Sequence, residues 1–272
     1  MRGMLTQATS PAVLGHLGLY YAIQPTHRTR WEGEKDEPIS PYYPRLRQSQ
    51  EERRRVASPP AFLDAIRKVL KTQDAWCAEN PTAGSPNKKP SARGVGLFVR
   101  VDDPLSLLLT AHWDSMAHHD EWIQSQANRD GLGLLASCLD MPRVSLFHVD
   151  DVEAFTGSEA TAAEGETPTL SADYASVSRF IVAADNKVDF ERAWDKAGPV
   201  LREFVSPYVH RGGWRIEKEE GSGNKDEFVL IGGWDSPARE AEFVKSKGYA
   251  EYDKAMSTVL LGRDTKFYRR LL

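Results

Sequence analysis

The chain has 272 residues, 40% of them hydrophobic and 27% charged, with a formal net charge of −4. That composition suits a soluble globular protein of one large or two modest domains, and it argues against a surface built to bind nucleic acid. No apolar run approaches the roughly 18 residues of a membrane span, and the two cysteines, Cys77 and Cys138, exclude a disulfide framework and point to a reducing, cytoplasmic setting.

In chain order, "PAVLGHLGLYYAI" (11–23) is apolar but broken by His16 and two glycines. No clean cleavage site follows, so it reads as a strand rather than a targeting segment. Residues 25–58 form a long insertion rich in proline, charge and aromatics, among them Trp31, Tyr42 and Tyr43. Loops of that length are lids, binding loops or disordered segments. "PPAFLDAIRKVLKTQDAW" (59–76) puts Phe62, Ile66, Val69 and Leu70 on one helix face. A second insertion, 80–93, leads into the expected strand "GVGLFVRV" (94–101), which carries Phe98. "SLLLTAHW" (106–113) is a further strand, with Ser115 at the N-cap of the next helix and Ser125 capping a second turn. "VSLFHV" (144–149) is the last strand of this half.

Residues 151–175 read as a linker, and "TGSEATAAEGETPTLSAD" (156–173) as its flexible part. The second half starts with the strand "SVSRFIVAA" (176–184). The helix "DFERAWDKAGPVLREFV" (189–205) follows, weakened or kinked at Gly198-Pro199. Strands "GWRIEKEE" (213–220) and "EFVLIGGW" (227–234) come next. Ser236-Pro237 has the form of a helix start, Ser246 of a second cap, and "KFYRRLL" (266–272) of a closing strand.

The two halves are copies of each other. Trp113-Asp114-Ser115 and Trp234-Asp235-Ser236 match at a constant offset, as do Ala117 and Ala238, Glu121 and Glu242, and Ser125 and Ser246. Trp122 falls on Phe243, Leu109 on Leu230, Leu139 on Leu260 and Phe147 on Tyr268, without a gap. Each copy reads β-α-β-β-α-β, a ferredoxin-like unit with a four-stranded antiparallel sheet covered by helices on one face. The other face is bare and needs a partner. Two tandem copies, 14–150 and 176–272, can close their bare faces on each other as a pseudo-dimeric α+β barrel.

The apolar strand ending in Trp-Asp-Ser, with its following alanine, glutamate and serine, resembles the antibiotic-biosynthesis-monooxygenase-like branch of the dimeric α+β barrel superfamily. "FVLIGGWDSPAREAEFVKS" is the closer of the two matches. The tandem arrangement with long loops is similar to a form common among fungal proteins. The resemblance implies the fold and leaves the reaction open, because the superfamily spans cofactor-free monooxygenases, polyketide cyclases, lactone isomerases, haem enzymes and non-catalytic stress proteins.

The copies differ in their histidines. His112, His118, His119 and His148 of the first copy face Gly233, Arg239, Glu240 and Arg269 of the second. Histidine titrates near neutral pH and suits acid–base work. His112, His118 and His119 are expected to converge at one strand-to-helix corner. Since adjacent helical residues point about 100° apart, only one of His118 and His119 is expected in the pocket. His148 reads as a barrel or surface residue, and Asp114, repeated as Asp235, as local turn chemistry. Tyr20 or Tyr21 is a candidate donor to a developing enolate, and Trp31, Tyr42, Trp122 and Phe98 are candidate substrate contacts. The histidine spacing matches no dense metal motif, and no dinucleotide or phosphate loop is present. No metal or cofactor is therefore expected. These features favour a cofactor-independent cyclase or isomerase acting on a hydrophobic, polyketide-like small molecule. Cofactor-free oxygenation of a phenol or anthrone is the second reading, and a non-catalytic binding or stress-response barrel the third. A homodimer of the pseudo-dimeric chain is a compatible assembly, with neither nucleic acid nor membrane as partner.

Overall fold

The computed structural model describes residues 17–23, 59–82, 93–141, 144–150, 165–218 and 223–272. The first repeat contains β1 (Leu17–Ile23), α1 (Pro59–Glu79), β2 (Gly96–Arg100), β3 (Leu107–Trp113), α2 (Met116–Gln124), α3 (Gln126–Leu135) and β4 (Ser145–Val149). The second contains β5 (Tyr174–Ala183), α4 (Lys187–Val205), β6 (His210–Trp214), β7 (Lys225–Trp234), α5 (Ala238–Val244), α6 (Tyr249–Ser257) and β8 (Gly262–Arg270). The strands form one antiparallel sheet in the order β4-β1-β3-β2-β8-β5-β7-β6. Each half of that order is the ferredoxin-like arrangement, so the two-copy reading of the sequence describes the architecture.

Two seams join the repeats. At the first, β2 pairs with β8, with Val99 opposite Arg269. At the second, the outer strands β4 and β6 meet through the bridge Val149–Arg215. Two backbone bonds extend this contact, from Asp150 N–H to the Trp214 carbonyl (2.8 Å) and from Ile216 N–H to the His148 carbonyl (2.9 Å). The sheet thus curls until its ends touch, and the two bare faces become one interior.

Strand alternation sorts the core. Phe98, Leu108, Phe147 and Val149 of the first repeat meet Ala175, Val177, Val229, Ile231 and Tyr268 of the second inside the barrel. The intervening residues face the helices. Leu97, Val99 and Leu107 pack against Phe62 and Ile66 of α1. Phe180, Phe228, Leu230 and Trp234 pack against Phe190, Ala197 and Leu201 of α4 and against α5 and α6. The β2–β3 turn is built by Asp103, whose carboxylate accepts from Leu105 N–H (3.2 Å) and Ser106 O–H (2.6 Å).

Several expectations change. The segment 165–173 is not a plain flexible linker. Thr167 bridges Tyr208, and Leu170 is buried in the barrel interior. Ala172 is buried with it, and Thr167 exchanges backbone bonds with Pro207 and Val209. The second repeat's first strand accordingly begins at Tyr174. Its third element spans His210–Trp214 rather than reaching residue 220, because the ladder forms where His210 lies opposite Gly232. Helix α4 runs unbroken through Gly198-Pro199. Ser115 and Ser125 cap α2 and α3 with their hydroxyls. Ser236 and Ser246 make no such side-chain bond, and only their carbonyls accept, from Arg239 and Tyr249 N–H. The insertion 25–58 and most of 80–93 lie outside the described residues. No helix among the described residues is long and apolar enough to cross a membrane.

Candidate functional site

The first repeat carries a buried polar cluster on the helix face of its sheet, where β3, β4, α1 and α2 meet. Trp113, at the end of β3, is its centre. Trp76 and Trp122 pack around it, with ring centroids of Trp76 at 6.4 Å from Trp113 and 5.5 Å from Trp122. The Ser115 cap starts α2 directly over the end of β3 and so brings the next turn down onto Trp113.

His118 and His119 both enter this cluster. His118 stacks on Trp76 (5.3 Å, 26°) and meets Trp113 edge-on (5.3 Å). His119 lies against Trp113 at 4.7 Å and has no exposed surface. A 100° helical step was expected to send one of them away. Both rings nonetheless contact the Trp113 indole.

Each ring is anchored. His118 Nε2 is 3.1 Å from the Asn80 carbonyl, to which it donates. Its Nδ1 stands 3.8 Å from the Asp114 carboxylate, which accepts from Thr82 O–H at 2.5 Å. Asp114 thus holds the segment after α1, as Asp235 does in accepting from Tyr208 O–H (2.6 Å). His119 Nδ1 is 2.8 Å from His148 Nε2. The other nitrogen of His148 is hydrogen-bonded to Glu217, and the His148 backbone N–H donates to the same carboxylate at 2.7 Å.

His148 is therefore neither a surface nor a barrel-interior residue. It alternates with Phe147 and Val149, which face inward, and so points to the helix side. Burial first, then the neighbouring His148 and His118, push the His119 imidazole down to about 3. Burial alone would raise the Glu217 carboxyl, but the hydrogen bonds from His148 outweigh it and hold Glu217 below its ordinary value.

The other candidates separate from this cluster. His112 alternates with Trp113 and shares its face with Leu108, which lies inside the barrel. The expected convergence of His112 with His118 and His119 does not occur, because a strand sends successive side chains to opposite faces. The ring of His112 covers Gly94, whose φ of +58° and close approach leave no room for a Cβ. Phe98 also belongs to the barrel interior and Trp122 to the indole cluster, so those two candidates do not share a site. Register places Tyr20 opposite Thr110 and Phe147, and Tyr21 opposite Leu109 and Leu146. Trp31 and Tyr42 lie outside the described residues.

Two participants escaped sequence reasoning. Glu217 reaches the cluster only because the barrel closes. His210, in the second repeat, packs over Gly232 and against Trp234 (5.1 Å), and its Nε2 donates to the Gly233 carbonyl. Burial pushes it down to about 4. A lone histidine beside a Gly-Gly pair was the available signal.

The corner tryptophans differ in one bond. Trp234 Nε1–H donates to Ser176 Oγ at 2.7 Å. The equivalent ladder position in the first repeat is Leu19. Trp113 Nε1–H is buried with no hydrogen-bond acceptor among the described residues.

Among the described residues, no group of three or more His, Cys, Asp or Glu side chains is arranged to hold a metal ion. A haem does not fit the described cluster either. His118 and His119 are interleaved with indoles at 4.7–5.3 Å, which leaves no slot for a macrocycle between them. An open groove of about 560 Å³ lies elsewhere, between segments 171–174 and 269–272. Its Arg270 is held by the Leu170 and Leu272 carbonyls.

No protein-family model matches the chain, and no curated protein sequence does. Solved structures align over nearly its whole length. A candidate monooxygenase from Fusobacterium nucleatum subsp. nucleatum is 10% identical, covering 95% of this chain and 93% of that one with a TM-score of 0.52. An anthrone oxidase-like protein is 13% identical, covering 95% and 92%, with a TM-score of 0.50. A haem-binding protein from Thermus thermophilus is 11% identical, covering 95% and 91%, with a TM-score of 0.50. At such identities the likeness is one of fold. The chain is a tandem α+β barrel of two ferredoxin-like repeats, with a buried histidine–tryptophan cluster in its first repeat.

Proposed function

We propose that this protein is a small-molecule enzyme that moves a proton on a flat, apolar, polyketide-like substrate and thereby cyclises or isomerises it. The observation that carries the reading is the histidine pair around Trp113, whose buried N–H lacks an acceptor among the described residues, while its counterpart in the second repeat has one. A buried indole N–H is satisfied when a substrate oxygen accepts it, and the bond strengthens as that oxygen becomes an enolate. His118, whose Nε2 donates to the Asn80 carbonyl and whose buried Nδ1 has no hydrogen-bond partner among the described residues, takes the proton from the neighbouring carbon. Apolar walls exclude water, and imidazole performs the transfer without a cofactor.

Anthrone is a suitable probe, since its methylene protons are acidic and its carbonyl becomes the enolate oxygen. Incubated without oxygen in deuterated buffer, the protein should accelerate exchange of those protons, followed by proton NMR. His118→Gln should slow exchange about a hundredfold to ten-thousandfold. Arg239→Gln, at the matching position of the second repeat, should leave it unchanged. Exchange at the buffer rate, or exchange that survives His118→Gln, overturns the reading.

Oxygenation is the second reading, favoured by the shared fold of the anthrone oxidase-like protein. The same carbanion would reduce dioxygen, giving anthraquinone and water. Oxygen uptake matched to anthrone consumed in air separates it from exchange alone.

A further inference from the structure

We infer that Asp114 is a positioning residue for the proton transfer: strapped to Thr82, its carboxylate is the counter-charge for the imidazolium that forms at His118. The inference rests on His118 as the base.

The bond at one end of the His118 ring decides what the other end can do. Asn80 follows the last turn of α1, and its carbonyl only accepts, so His118 Nε2 carries a proton. Neutral His118 therefore presents a lone pair at Nδ1, which is buried without a hydrogen-bond partner among the described residues. When Nδ1 takes the substrate's proton, the C–H bond breaks and its electron pair passes to the carbonyl oxygen as an enolate. The ring becomes a cation. Both charges vanish when the product is reprotonated. A cation formed out of water needs a protein charge or dipole in its place.

Three features around the ring supply one. Nε2 points at the C-terminal end of α1, the negative end of the helix dipole. One face lies on Trp76 at 5.3 Å and 26°, and an indole face attracts a cation. Beside Nδ1 stands Asp114, 3.8 Å away. That distance is too long for a hydrogen bond, so the lone pair stays available to the substrate. It is short enough for a full charge to act. The oxygen that faces Nδ1 also accepts from Thr82 O–H at 2.5 Å, so it is held in place before the proton arrives.

The other titratable groups around Asp114 and His118 leave this pairing intact. His119, next on α2, is pushed down to about 3 and is neutral near neutral pH. Cys77, raised to about 12 by burial and then by Asp114, is a neutral thiol. Arg93 also feels Asp114, but it is paired with Asp74. The second repeat shows the strap by itself. Asp235 accepts from Tyr208 O–H, and the position matching His118 is Arg239, which is bonded to Glu242. The strap is common to both repeats; the imidazole beside it belongs to the first.

The test separates charge from strap, with anthrone exchange and urea unfolding measured on the same full-length proteins. Asp114→Asn keeps an acceptor oxygen for Thr82 and removes the charge. Its unfolding midpoint should stay near that of the wild type, while kcat falls about tenfold and KM holds. Asp114→Glu, which keeps the charge, should recover part of that rate. Thr82→Val removes the strap and keeps the charge, so its midpoint should fall while most of the exchange remains. On a His118→Gln background, adding Asp114→Asn should cost nothing further, because the carboxylate acts through that ring. Wild-type kcat in Asp114→Asn, or a further loss on the His118→Gln background, overturns the inference and leaves His118 standing as the base. Should Asp114→Asn not fold, Thr82→Val decides: a loss of exchange as large as that of His118→Gln overturns the charge role, and retained exchange supports it. No exchange in the wild type is the failure of the proposed function itself, and this inference falls with it.

Discussion

The two corners at Trp113 and Trp234 occupy equivalent places in equivalent repeats, yet they are built from different materials. Around Trp234 the described rings in contact are Phe267 at 5.7 Å and one histidine, His210, at 5.1 Å, and the same core continues along the sheet into an aromatic set in which Phe180, Phe190, Trp214 and Phe228 interlock at 4.9–6.5 Å. The indole N–H there is satisfied internally by Ser176. Around Trp113 stand two histidines, a further pair of indoles and a link to His148 and Glu217. Duplication supplied one fold twice, and the difference shows how labour can divide. A repeat whose core closes on itself contributes stability. A repeat that buries titratable groups gives up some of that stability and gains chemistry.

The division is most directly broken by truncating the second repeat's core. Phe190 is fully buried against Phe180, Trp214 and Phe228. Phe190→Ala should cost about 3–5 kcal/mol of unfolding free energy, measured by urea denaturation. Turnover per folded molecule should be unchanged. An equal fall in turnover at conditions where the variant is fully folded would mean that the second repeat is more than scaffold.

A smaller effect comes from His210. Its folded value of about 4 lies below the unfolded value of about 6.5. Above pH 6.5 it is neutral in both states and costs nothing. As pH falls from 6.5 to 4 the unfolded chain takes the proton and the folded one does not, so stability is lost across that window. The slope is about 1.4 kcal/mol per pH unit, or about 3 kcal/mol by pH 4. His210→Phe should remove this share of the acid limb. His119 will keep its own, since its depressed value of about 3 acts in the same direction. An unaltered acid limb in His210→Phe would show that burial does not hold this ring neutral.

The sequence disclosed the architecture through the register of its repeat. A constant offset carried strand onto strand, and the bare faces of two ferredoxin-like sheets then had to meet. His118 and His119 were legible too, because they break the match with Arg239 and Glu240. His148 was visible as a difference but not as a partner. Its neighbour Glu217 lies 69 positions away and approaches only through the closed seam. Nothing local in "GWRIEKEE" marks one glutamate over the others. The face of His112 was legible from its alternation with Trp113, but not that the turn after β3 would lay His118 and His119 on the Trp113 side of the sheet, away from it. Leu170 carries no periodicity at all, being one apolar residue among polar ones, and compositional reading passes over it.

The smallest expected effect is the most discriminating. Trp113 and Trp234 are both buried on the helix face, so replacing either by Phe removes the same indole volume. Their polar terms differ. Trp234→Phe deletes the bond to Ser176 and leaves that buried hydroxyl without its donor, a loss of about 1–3 kcal/mol beyond the volume change. Trp113→Phe deletes an N–H that has no acceptor among the described residues, so it should cost only the volume term. The difference between the two denaturation midpoints, taken at equal m-values, isolates the bond. Binding should show the reverse order. Trp113→Phe should weaken anthrone binding and slow its exchange, while Trp234→Phe should do neither. If Trp113→Phe instead lost as much stability as Trp234→Phe and left the probe untouched, the Trp113 N–H would be bonded within the protein, and the asymmetry on which the proposed site rests would disappear.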